Sequence, residues 1–253
     1  MKTTTQPTPT RPKFFRRRLL SVSHDAKTKK GESFGYLTGI IYLAPLTLGG
    51  FGNVCPFASP GCASACLNTA GRGAMSNVQR GRIAKTALFF KNNRTFLENL
   101  FLDIRALVKK SARRGMLPVV RLNGTSDVAW ERLKLPSGHS IFEEFPEVQF
   151  YDYSKSPTRA LENARGDHPK NYSITFSRSE ENDSDAVRVL KSGGAVAVVF
   201  RGLVPELHTF PSGERFPVII GDESDLRFLD KGGHIIGLTA KGKAKKDTSG
   251  FVV

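Results

Sequence analysis

Three cysteines fall within twelve positions, in the run Cys55-Pro-Phe-Ala-Ser-Pro-Gly-Cys62-Ala-Ser-Ala-Cys66, and the rest of the 253-residue chain has none. Thiols are soft ligands, and three of them on one short loop are the donor set of a metal site. The surrounding Gly, Pro and Ser let a loop turn back on itself and aim side chains at a common centre. An odd number of thiols argues against a disulfide framework. The five histidines, His24, His139, His168, His208 and His234, have no finger-like spacing to the cysteines, which weakens a structural zinc site. Three cysteines suit a [4Fe-4S] cluster, in which one iron is left to an exchangeable ligand, a substrate or S-adenosylmethionine. Zinc, or no metal at all, are the alternatives. The spacing Cys-x6-Cys-x3-Cys is not the Cys-x3-Cys-x2-Cys of radical S-adenosylmethionine enzymes.

Such a loop needs a scaffold. Before the loop, Phe34-Gly-Tyr-Leu-Thr-Gly-Ile-Ile-Tyr-Leu-Ala44 reads as a strand or hairpin from its β-branched and aromatic residues. Further apolar runs at 117–122, 148–153, 172–176, 195–200, 218–220 and 235–238 complete seven strand candidates, most of them separated by helical patterns. Two amphipathic helices, broken near Asn92-Asn93, precede the second run, and Gly115 stops the later helix. Val- and Ile-rich strands alternating with helices make an α/β fold with a mostly parallel sheet, a complete or partial (β/α) barrel; an open doubly wound sheet is the alternative. Residues 34–253 are expected to form a single barrel-like domain, and residues 1–33 a flexible, disordered basic arm.

In a parallel barrel the chemistry gathers where the strands end. Polar residues follow nearly every run: Arg121, Asn123, Ser126 and Asp127, then Asp152 and Lys155, then Arg178, Arg201, Asp222, Glu223 and Lys241. Asn123, Asp127, Lys155, Arg178 and Arg201 are selected as candidate catalytic residues beside the Cys55, Cys62 and Cys66 loop. The blander role for each is a helix cap or a solvated turn. Trp130 and the Phe-rich helices follow the helical period and read as core.

The formal charge of +15 favours an anionic substrate or a nucleic acid as partner, with phosphates lying along the basic arm and the 72–114 helices. The second functional class is therefore a nucleic-acid-binding protein with a structural metal. A third class, a hydrolase using Asp127, Asp152, Asp222 and Glu223, has no nucleophile elbow, P-loop or HExxH motif behind it. With 39% apolar residues the chain can bury a core, and no run approaches the roughly 20 apolar residues of a membrane span. The N-terminus does not resemble a secretory signal, so a reducing cytoplasm is the expected compartment.

Three stretches carry a resemblance. The run from Tyr42-Leu-Ala-Pro through the cysteine loop to Leu67, the segment Val120-Arg-Leu-Asn123-Gly-Thr-Ser-Asp127, and the ending Gly237-Leu-Thr-Ala-Lys241-Gly-Lys243-Ala-Lys-Lys-Asp247-Thr-Ser-Gly250-Phe together resemble the gene product 88 family of bacteriophages and mobile elements. The resemblance implies a viral or mobile-element origin and a cysteine-ligated cluster, and it implies no particular reaction.

Overall fold

A computed structural model describes residues 18–23 and 26–253. One nine-stranded sheet organises them, in the order β1-β2-β3-β4-β5-β6-β9-β8-β7. The central strands are β2 (Tyr36–Ile41), β3 (Leu117–Arg121), β4 (Gln149–Ser154), β5 (Tyr172–Ser177), β6 (Ala195–Phe200), β9 (Ile235–Thr239) and β8 (Arg215–Ile220), all mutually parallel. The edges β1 (Leu20–Val22) and β7 (Leu207–Thr209) pair antiparallel with β2 and β8. The order runs from one edge to the other, so the sheet is not closed.

Because β2 to β6 lie side by side in chain order, right-handed crossovers carry every intervening helix over the same face. That face is the main core. Phe96, Leu100 and Ile104 of α4 (Asn93–Arg113), Phe142 of α5 (Ile141–Glu144), Ala160 of α6 (Pro157–Arg165) and Leu190 of α7 (Asp183–Lys191) pack there on Val120, Phe150, Phe176 and Val198. The alternate residues of the same strands face the other way, where Val119 and Tyr151 meet Leu226 and Phe228 of a loop after β8. Trp130 is buried, stacked on Phe96, as its period implied.

The expected helix break is a cap. α3 (Ser76–Lys91) ends at Asn92, whose side chain accepts a 3.0 Å bond from Thr95 N–H and so starts α4. Beyond Arg113, Gly115 takes a φ of +62°, the left-handed conformation that glycine adopts without a Cβ penalty.

One expectation is corrected. Part of the stretch assigned to a flexible arm is built into the fold: β1 pairs with β2, and α1 (Ala26–Glu32) packs beside it. Buried Asp103 accepts bonds from Leu19 N–H (2.6 Å) and Leu20 N–H (3.2 Å), and a polar partner hidden in α4 leaves no sign in the composition of residues 18–33. The expected tail at residues 1–17 lies outside the described residues. The antiparallel strands β1 and β7 form the two edges of the sheet. Among the described residues no helix is long and apolar enough to cross a membrane.

Candidate functional site

All the parallel strands end on one side, and the segments that follow them enclose a cavity of about 620 Å³. Cys55, Cys62 and Cys66 line it together with Arg121, Asn123, Asp127, Lys155 and Asp225. The sequence therefore brings the three thiols and three of the five selected polar residues to a single place.

The cysteine loop is held from several directions. Leu46 N–H points at Cys55 Sγ at 3.4 Å, and that sulfur lies 3.7 Å from the Thr125 carbonyl. Ser59 caps α2 (Pro60–Ser64) by accepting from Cys62 N–H at 3.2 Å. Glu180, from the turn after β5, accepts from Gly61 N–H at 2.7 Å and from the Ser59 hydroxyl at 2.9 Å. A Cβ on Gly61 would lie 2.2 Å from Ser249 Oγ and 2.7 Å from Glu180 Oε1. Gly61→Ala must displace the Ser249 and Glu180 side chains that form this anchor, with an expected loss of about 1–3 kcal/mol of stability in urea unfolding and faster alkylation of Cys62. Unchanged stability together with unchanged thiol reactivity would contradict the anchor.

The thiols are free and half-buried. Burial pushes the Cys55 thiol up to about 12. Burial raises Cys62 too, against the pull of the Lys155 charge. Both are neutral thiols near pH 7, so binding a metal there must release protons.

Asn123 holds the 123–130 loop. Its Oδ1 accepts from Ser126 Oγ, Val128 N–H and Trp130 Nε1–H at 2.8–3.0 Å, and its Nδ2 donates to Val128 O and to Asp152. Every polar valence of that side chain faces protein, so Asn123 is a positioning residue. Asp127 works similarly. It accepts from Lys155 N–H (2.8 Å) and Arg159 (2.6 Å), while its own N–H donates to Val54 O, next to Cys55.

Asp152 is fully buried behind this loop and accepts from Asn123 N–H (2.6 Å) and Tyr172 O–H (3.0 Å). Burial outweighs these donors and raises its pKa to about 7. A folded pKa above the unfolded one favours the neutral acid, so this contribution to stability is full below the ordinary carboxylate value and is lost as pH rises through about 7. The expected sign is a protonated-carboxyl infrared band that disappears near pH 7 and is missing in Asp152→Asn. A band already absent at pH 5 would contradict it.

Lys155 is buried, and its Nζ donates to Ser177 O, Ser177 Oγ and Arg178 O at 2.9–3.1 Å, beside Cys62 and the Phe251 ring. It is the selected cation that reaches the cavity. Arg178 instead clasps Asp183 (2.7 Å) and the carbonyls of Gly250 and Phe251, and Arg201 donates to Lys245 O and Asp247 O. Both tie down the 245–251 segment and stand outside the cavity lining.

Three residues that sequence reasoning did not select matter here. Arg121 lies on the sheet face opposite the main core, paired at 2.9 Å with Asp225 and stacked over Tyr153. Its signal was legible, a charged side chain ending an apolar strand. Asp225 and Glu180 sit in loops without any pattern and gave none.

Among the described residues no imidazole lines the cavity, and no group of three or more His, Cys, Asp or Glu is disposed to hold a metal ion. One zinc needs its sulfurs on one point, each about 2.3 Å away. A [4Fe-4S] cluster takes its thiolates on separate irons, and cysteine sulfur is the donor it uses.

A family model described as Gene product 88 matches residues 15–253. No curated protein and no solved structure matches the chain.

Proposed function

The chain belongs to the gene product 88 family, and from that premise we propose that it is an iron–sulfur enzyme of phage or mobile-element origin acting on an anionic substrate. The observation that carries this is the placement of three free thiols from one loop around a cavity at the C-terminal edge of a parallel sheet. Cys55, Cys62 and Cys66 would hold a [4Fe-4S] cluster. When bound, such a cluster supplies an open iron position and an electron, for the substrate itself or for S-adenosylmethionine.

The protein's own groups do the rest. Lys155 places a buried cation beside Cys62, where it offsets the charge that three thiolates bring. Arg121, fixed by Asp225 and the Tyr153 ring, offers a guanidinium on the cavity floor for a carboxylate or phosphate. Asn123, Asp127 and Arg159 keep the loop beside Cys55 rigid. The sheet is read as a partial barrel, curled with its inner face toward the cavity.

Anaerobic purification followed by iron, sulfide and zinc analysis tests the proposal. About four irons and four sulfides per chain are expected. Zinc without iron or sulfide overturns it. With a reduced, intact cluster, release of 5′-deoxyadenosine from S-adenosylmethionine identifies the radical version, and its absence removes that version.

A further inference from the structure

Between Ser33 and Leu97 the chain has no Asp or Glu, while it carries Arg72, Arg80, Arg82, Lys85, Lys91 and Arg94. A second acid-free stretch, 231–246, carries Lys231, Lys241, Lys243, Lys245 and Lys246. The fold joins them. The 3-10 turn Leu67–Thr69 packs on the turn Gly242–Lys246, and a Cβ on Gly242 would stand 3.3 Å from that of Ala70. Leu67 from one stretch and Lys241 and Ala244 from the other line the same cavity. Its three lining carboxylates are already matched: Asp127 by Arg159, Asp222 by Lys241 and Asp225 by Arg121. Arg80, Lys243, Lys245 and Lys246 are exposed on the two segments that supply these lining residues, which makes that side of the molecule basic.

Apolar side chains are also exposed on the cysteine loop and the 67–80 segment. Phe57, between the lining residues Cys55 and Ala58, is 49% exposed, and Leu67 and Met75 are exposed to a similar degree. The cavity has walls of Pro45, Leu46, Val199, Leu238 and Phe251. Cations on the flanking segments, an exposed ring between two lining residues and an apolar chamber within match a nucleotide whose phosphates stay outside while its base turns inward. A base stacked in a duplex cannot reach such a chamber, whereas an unpaired one can.

We propose that the substrate is single-stranded nucleic acid, lying across the rim formed by the 67–80 and 241–246 segments with one base directed into the cavity. This rests on the cavity being the reactive site proposed above, and it gives that site its substrate class.

The test is fluorescence anisotropy with labelled DNA and RNA strands of about 12 nucleotides, within the range of single-strand site sizes. The matching duplex and heparin serve as comparison polyanions, between about 50 and 200 mM salt. Strand binding tighter than duplex binding is expected. Replacing the exposed Lys243, Lys245 and Lys246 by Glu should weaken it at least about tenfold and flatten the log–log salt slope by about 2, from roughly 0.7 per phosphate contact. Phe57→Ala should weaken strand binding about tenfold, the loss of one stacked base, and leave heparin binding unchanged. Thermal melts of both variants check that the fold is intact.

No strand binding at about 50 mM salt overturns the proposal. So does indifference to the triple Lys→Glu change, equal losses for heparin and strand in Phe57→Ala, or tighter binding to duplex. Iron analysis of the same samples separates the two levels: iron present without strand binding defeats only this inference, and strand binding without iron defeats only the cluster.

Discussion

Arg159→Leu is expected to cost about 3–5 kcal/mol of stability, the range for stranding a buried charge partner. Arg159 is buried, and its guanidinium holds Asp127 at 2.6 Å, Glu131 at 2.7 Å and the Tyr172 hydroxyl at 2.9 Å. The Tyr172 hydroxyl in turn donates to Asp152, which fixes Asn123. One guanidinium thus joins α6, the end of β4, the start of β5 and the whole 123–131 loop. Without it, two carboxylates remain buried with their principal partner gone. Urea unfolding measures the loss. Adding Asp127→Asn and Glu131→Gln to Arg159→Leu should recover part of it, because the stranded charges are then removed. A loss below about 1 kcal/mol would mean the pair behaves as a surface bridge, contrary to its burial.

Cys55→Ser, Cys62→Ser and Cys66→Ser are expected to reduce iron and sulfide sharply one at a time, and to background in the triple variant. Serine keeps the size and removes the soft ligand. Lys155→Met and Arg178→Met, made separately, should retain the cluster, since neither side chain supplies a ligand atom. Equal iron content in the wild type and the triple variant would show that iron binds elsewhere or adventitiously.

The parts of this site that could be read from the chain are those set by local pattern. The Val- and Ile-rich runs at 117–122 and 195–200 became β3 and β6, and Asn92 capped α4 where the helical period broke. The thiols reached the C-terminal edge because the loop directly follows β2. The fate of the cations could not be read in the same way. Arg178 and Arg201 follow strands just as Lys155 does, yet besides the Asp183 carboxylate that Arg178 holds they donate to main-chain carbonyls 44–73 residues away, and any sequence provides carbonyls. Arg159 sits in a short helix where a surface arginine would be unremarked, and only the burial of Asp127 and Glu131 beside it marks it as central. The strands β1 and β7, of three residues each, are too short to show alternation, so the two edges that end the sheet left no trace.

Phe251 and Ser249, which flank the cysteine loop, come from the far end of the chain. On a ribosome, about 185 residues separate the synthesis of Cys66 from that of Phe251. At about 5–20 residues per second that is roughly 10–40 s during which the thiols exist without the wall that will cover them. If the thiols hold the proposed cluster, the delay gives an iron–sulfur donor direct access to the nascent loop, and it gives oxidants the same access. Arg178 and Arg201, by seating the 245–251 segment, end that interval for both.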